Sequence, residues 1–251
     1  MKIYIALLAV IVIMYGCEST DSESIKNSGL YANITITETG SDSAQVLVDL
    51  NVGGNNGTNV NLSSDERFDV TANGEVKTLQ KNDKLDDILE IIYEANIAVQ
   101  ADETLFKVDF FRADEPNVLN SNVVLPTGFL ITKPVSNDSF STMGTSTIEW
   151  SPVNNNGSME IIITTVCKLT SGGETTNDMV FNTVDDGAFE VNFGSQIIDK
   201  IASVDRNQNC TVSILATRKA TGNLATGYGE GGSIVANRQR SISNVTLMID
   251  N

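Results

Sequence analysis

Thr147-Ile148-Glu149-Trp150-Ser151-Pro152 is the stretch on which the fold turns. Ile148 and Trp150 alternate with Thr147, Glu149 and Ser151, so both fall on one face of a strand of period two. Pro152 has no N–H to give a ladder and ends that strand. A large indole at that position predicts a packed core on one side of the strand and solvent on the other. Downstream, Asn154-Asn155-Asn156-Gly157 predicts a turn and Met159 to Leu169 a long strand. Gly172-Gly173, a weaker run through Met179-Val180-Phe181, and the turn Asp185-Asp186-Gly187 come next, before Phe189, Val191 and Phe193. Cys210 to Thr217 alternates again, and Ser233 to Ile249 completes a series of strands with no helix between them.

Upstream of Pro134 the same grammar repeats. Ile34 and Ile36 alternate with Thr35 and Thr37, and Val46, Val48 and Leu50 with Leu47 and Asp49. Phe68, Val70 and Ala72 lead into Asn73-Gly74, the strongest short hairpin signal, with Val76 and Leu79 beyond it. Ile97 to Val99, Leu105 to Phe111, Val123 to Leu125 and Phe129 to Ile131 supply further strands. One segment stays open: Leu85, Ile88, Leu89 and Ile92 recur at helical spacing over Lys84 to Tyr93, yet their β-branched members also suit a strand. Each series is about one hundred residues long, the size of a single β-sandwich. The proline after Thr132-Lys133 places the boundary between them.

The 251 residues carry 16 Lys+Arg against 32 Asp+Glu, a net charge of −16, and no histidine. Such a surface repels phosphate backbones, so nucleic acid is not an expected partner. The absent imidazole removes Ser-His-Asp and Cys-His catalysis and His-containing zinc sites. The amino terminus is the most informative stretch. Met1-Lys2 precedes an unbroken apolar run, Ile3 to Met14, too short to cross a bilayer as a helix and of the length of a secretory signal core. After Cys17, the run Glu18-Ser19-Thr20-Asp21-Ser22-Glu23-Ser24 is polar and acidic and predicts a solvated tether.

Three resemblances attach to these residues. Met14-Tyr15-Gly16-Cys17 resembles the bacterial lipobox, although Met14 and Tyr15 are not its commonest residues. That implies removal of residues 1–16, a lipid on Cys17 and membrane attachment through it; an ordinary signal cut elsewhere is the alternative. Thr147 to Pro152, with the turn and long strand after it, is similar to the second and third strands of fibronectin type III domains. The wider chain looks like a group of bacterial lipoproteins with two immunoglobulin-like domains. Phe111-Arg112, Val124-Leu125-Pro126-Thr127-Gly128-Phe129, Trp150-Ser151-Pro152, Gly229-Glu230-Gly231-Gly232-Ser233-Ile234 and Arg240 carry that likeness. The expectation is an all-β chain: signal peptide 1–16, polar tether 17–28, an immunoglobulin-like sandwich over 29–133 and a fibronectin type III-like sandwich over 134–251. On this resemblance Cys167 and Cys210 lie on the third and sixth strands, which are antiparallel neighbours. Period two puts each on its strand's apolar side, so a disulfide is expected, with two free buried thiols as the alternative.

The remaining chemistry is thin. Gly227-Tyr228-Gly229-Glu230-Gly231-Gly232 superficially suggests a phosphate loop, but a β-like run follows it and Glu230 would oppose a phosphate. A loop between the last two strands is the better reading. Asp83, Asp86 and Asp87, Asp102 and Glu103, and Asp114 and Glu115 cluster as carboxylates without the spacing of a calcium loop, as expected in an acidic chain. Arg112, Arg218, Arg238 and Arg240 are expected to pair with local carboxylates. No cofactor, metal or catalytic residue is expected. The expectation is a non-enzymatic, lipid-anchored cell-envelope protein with the outer membrane favoured, acting as a spacer or interaction module toward an envelope protein or glycan. An accessory carbohydrate-binding role is the alternative.

Overall fold

The computed structural model describes residues 19–82, 91–99, 102–154 and 157–250. Their hydrophobic residues segregate into two cores, each enclosed by two sheets. The chain is an all-β sandwich structure.

The first core is built from strands whose burial alternates. β1 (Thr20–Asp21) is followed by β2 (Leu30–Glu38), β3 (Ser43–Val52) and β4 (Thr58–Asn61). β5 (Arg67–Ala72), β6 (Glu75–Thr78), β7 (Gln80–Lys81) and β8 (Ile92–Ala98) come next, then β9 (Leu105–Phe111) and β10 (Val118–Val124). β2 and β3 pair antiparallel, β3 also pairs with β4 and β8, and their buried faces cover the sheet β10-β9-β5-β6. Between the sheets lie Leu30, Ile34 and Ile36 from β2, Val46, Val48 and Leu50 from β3, and the stacked rings of Phe68 and Phe110, 4.4 Å apart. The hairpin joining β5 and β6 turns at Asn73 and Gly74, both at positive φ, the conformation an Asn-Gly pair tolerates best. Most of the open segment Lys84 to Tyr93 lies outside the described residues; its last two, Ile92 and Tyr93, begin β8.

The second core is enclosed by β11 (Leu130–Lys133), β12 (Ser139–Ser141), β13 (Ser146–Ser151), β14 (Ser158–Lys168), β15 (Glu174–Val184), β16 (Ala188–Val191), β17 (Cys210–Thr221) and β18 (Ser233–Met248). A short helix α1 (Phe193–Gln196), capped by the Asn192 side chain, follows β16. One sheet runs β11-β13-β16; the opposing strands run β18-β17-β14-β15. β13 carries Trp150 into this core at 2 % exposure.

Two features depart from a simple tandem. The expected tether over 17–28 is folded from Thr20 on: β1 pairs in parallel with β4, Ser22 is fully buried, and 3-10 turns span Ser22–Ser24 and Asn27–Gly29. Second, β18 does not stop at the second core. Its first six residues, Ser233 to Arg238, pair in parallel with Asn33 to Glu38 of β2, so one sheet of eleven strands runs through both halves. Ile234 and Ala236 belong to the first core, whereas Val245 and Leu247 of the same strand belong to the second. The switch of inward phase from even to odd positions is made at a bulge, where Asn244 takes a positive φ.

Candidate functional site

The residues with the richest chemistry lie where the two cores meet, and the alternation of β17 and β18 puts them there. On β17 the inward positions read Cys210, Val212, Ile214, Ala216, and then Arg218; on β18 they read Ile234, Ala236, and then Arg238 and Arg240. Cross-strand register sets Arg218 opposite Arg238 and Ala216 opposite Arg240. Three guanidiniums thus enter one interior, which only carboxylates and carbonyls can make tolerable.

The partners come from five segments. Asp185, fully buried, meets Arg218 at 2.5 Å (Nε to Oδ2) and accepts from its Nη2 at 2.9 Å. The Trp150 indole N–H also donates to Asp185, at 2.7 Å. Arg218 donates further to the carbonyls of Thr127 (2.8 Å) and Pro152 (2.7 Å), and its guanidinium lies 4.9 Å from the Phe129 ring centre. Arg238 reaches Asp102 at 3.1 Å and Glu38 at 3.5 Å, and Arg240 donates to Glu38 at 3.0 Å. Glu38 ends β2, and the backbone N–H of Gly128 donates to Asp102. Three cations and three carboxylates therefore fasten the end of β2, the connection through Gly128 and Phe129, the turn at Asp185 and the hairpin strands β17 and β18 to one another. The acidic clusters are resolved accordingly: Asp102 is an ion-pair partner, Asp185 a buried anchor, and Asp83, Asp86 and Asp87 lie outside the described residues.

A second assembly holds the amino-terminal segment. Arg112, beyond β9, has its side chain enclosed with that of Glu66, Nε to Oε1 at 2.5 Å. Its Nη2 donates to the carbonyls of Ser22 (2.8 Å) and Ile25 (3.0 Å), and its Nη1 to Asn27. Ser22 in turn donates to Glu66 and accepts from the N–H of Ser63. Sequence reading missed this because Ser22 looks like any solvated serine; its partners lie more than 40 residues away.

The glycine-rich stretch Gly227 to Gly232 lies between β17 and β18 and serves close approach, not phosphate. A Cβ on Gly229 would stand 2.8 Å from the Ser28 carbonyl, and one on Gly232 2.6 Å from that of Ala32. Tyr228, just before Gly229, packs near Phe110, rings nearly parallel at 6.4 Å, and its burial raises the phenol's pKa. Cys167 and Cys210 form a disulfide between β14 and β17, Cα to Cα 4.5 Å. Cys17 lies outside the described residues.

Among the described residues no group of three or more His, Cys, Asp and Glu is placed to hold a metal, and no helix is long and apolar enough to cross a membrane. A shallow open cleft of about 220 Å³ lies beside β12; there Lys133 pairs with Glu149 and Asp138 accepts from the Val135 N–H. The acidic and basic groups at the junction are committed to one another, and what they do is hold.

No protein-family model matches the sequence, and no curated protein is significantly similar to it. Among solved structures, the chicken CNTN1 FN1-FN3 domains match at 14 % identity and a TM-score of 0.22, over 84 % of this chain and 66 % of that one, just under two thirds of its length. The DIP-gamma IG1+IG2 structure matches at 7 % identity and a TM-score of 0.25, over 86 % of this chain and 98 % of that one. Overlap this loose carries no weight; the sandwich assignment rests on the strand pairing and the two cores.

Proposed function

We propose that the chain is a lipid-anchored cell-envelope protein, attached through Cys17, that acts without catalysis as a rigid spacer or interaction module. The observation that carries this reading is the β17–β18 pair, which runs through both cores and is clamped midway by Arg218, Arg238 and Arg240. A hinge between sandwiches needs a compliant, solvated connection; here the connecting residues are hydrogen-bonded into a neutralised ion cluster. A stiff body suits a protein that holds a binding surface at a fixed place, and loops at the sandwich ends carry such surfaces. The outer membrane is the favoured location. A Cys17→Ser form is expected to lose fatty-acid labelling and leave the membrane fraction; unchanged labelling overturns the anchor. Crosslinking on intact cells followed by purification is expected to recover an envelope protein.

A glycan-binding role is the second reading, and one observation favours it. On the outer face of the first sandwich the half-buried Tyr31 stands opposite the buried Asn51, while Asn51 and Asn59 both donate to the half-buried Asp49, at 2.7 and 3.3 Å. The part-exposed Tyr31 ring, with Asn59 and Asp49 near it, is a surface that sugars can use. Glycan-array binding abolished by Tyr31→Ala moves the assignment to this reading.

A further inference from the structure

Residues 20–29 lie against the first sandwich, yet their composition is that of a solvated chain. Asp21, Glu23 and Lys26 are charged, and Ile25 is the one large apolar residue. What holds the segment is polar. β1 gives two residue pairs to β4, and Ser22 donates to Glu66 and accepts from the Ser63 N–H. Arg112 donates to the carbonyls of Ser22 and Ile25 and to the Asn27 side chain, which itself donates to the Pro116 carbonyl at 2.7 Å. Ile25, half-buried, adds the segment's apolar contact with the first core. From Leu30 on the chain is held differently. β2 buries alternate side chains completely and pairs with β3 on one side and β18 on the other.

The anchor under the segment is complete without it. Arg112 and Glu66 both belong to the sandwich, have no exposed side-chain surface and pair with each other at 2.5 Å. The guanidinium also lies 5.2 Å from the Phe110 ring centre. When the segment leaves, neither charge loses its counter-ion, so the large penalty of a stranded buried charge is avoided. Water replaces the hydrogen bonds given up, and the net loss is a few such exchanges and the contact of one isoleucine. Few apolar contacts and a replaceable set of hydrogen bonds are the physical marks of a unit that opens locally.

We propose that residues 20–29 are a releasable strap, which undocks as one unit from Arg112 and β4 while the sandwich stays folded from Leu30 on. Docked is the resting state. The use of the strap rests on the anchored reading: a pull at Cys17 meets these residues before any other element, and their release takes the span from Cys17 to Leu30 to about 45 Å at full extension.

Hydrogen exchange of the full chain in detergent, read peptide by peptide, tests this. Residues 20–29 are expected to exchange about a hundredfold faster than β2 and β3, at a rate that low urea leaves unchanged, because their opening exposes little surface. Ser22→Asp sets a carboxylate against Glu66 and is expected to speed exchange of the strap about tenfold, with β2 and β3 unchanged. Arg112→Met strands Glu66 and is expected to speed exchange in β5 and β9 as well. A strap that exchanges no faster than β2 and shares its urea dependence overturns the proposal, as does one that Ser22→Asp leaves unchanged. Equal acceleration of strap and sandwich by Ser22→Asp overturns it too, and exchange at the rate of an unstructured peptide would show that no docked state exists. These readings do not involve the lipid: their failure leaves the anchor standing, and failed labelling at Cys17 removes the reach but not the strap.

Discussion

Arg218 is a cation with 1 % of its side chain exposed, held by Asp185, two backbone carbonyls and an aromatic face. Deleting one member of such a pair strands the other charge in the interior, which costs about 3–5 kcal/mol. Asp185→Ala is therefore expected to lower stability by that amount in urea unfolding. Trp150, the single tryptophan, bonds to the same carboxylate, so its emission in the folded state is expected to differ between Asp185→Ala and the unsubstituted chain. Asp49 works in the opposite sense. Burial raises its pKa above the ordinary carboxylate value, against the lowering effect of the Asn51 and Asn33 amides. The native state then holds this proton more tightly than the unfolded chain. Its contribution is fully present below the unfolded value and is lost as pH rises through the folded one. Asp49→Asn is expected to be the more stable form at neutral pH and to lose that advantage in acid, as paired pH–stability curves will show. Tyr93, buried and bonded to Leu62 and Val60, is pushed up to about 12, so stability is expected to fall between pH 10 and that value as the unfolded phenol ionises first.

At the scale of elements, the disulfide spans 43 residues between two neighbouring strands. Closing a loop of that length in the unfolded chain is worth about 4 kcal/mol. The double Cys167→Ala, Cys210→Ala form is expected to lose about that much in equilibrium unfolding, and the unreduced native chain is expected to show no reactive thiol from this pair by alkylation and mass spectrometry. Both cysteines were legible because alternation assigns a face and each strand is long enough for the phase to be certain. The same signal reached the β5–β6 hairpin, Trp150 and the inward residues of β2 and β3. It extended to the junction too, had it been followed: Arg218 keeps the phase of Val212, Ile214 and Ala216, and an arginine in core phase predicts a buried one. What alternation does not contain is the partner. The parallel ladder between β18 and β2 joins residues about 200 positions apart, and β1 is two residues that acquire meaning only against β4. The edge strand β15 read as a weak run because its outward positions mix Thr, Asp and Asn with valine, the composition of a face that no core selects.

The whole molecule has two cores but one continuous sheet. With β18 common to both and Glu38 shared between Arg238 and Arg240, heating is expected to give a single calorimetric transition. Glu38→Gln, which removes the charge that those two arginines share, is expected to lower the midpoint and separate the transition into two. A chain whose halves melt independently before the substitution would show that the junction transmits nothing. The folded amino-terminal segment bears on a different quantity, the standoff from the bilayer. Only Glu18 and Ser19 stand between Cys17 and Thr20, the first residue of β1, and the three steps reach at most about 11 Å at full extension. If Cys17 carries the proposed acyl chains, the first sandwich has almost no leash. It then rests, as proposed, among the headgroups, and its docking by Arg112 limits how far the acidic body swings away from them. An accessory protein that clears a thick sugar or protein layer needs a long flexible stem. Anchored as proposed, this chain would work at the membrane surface, where partners come to it.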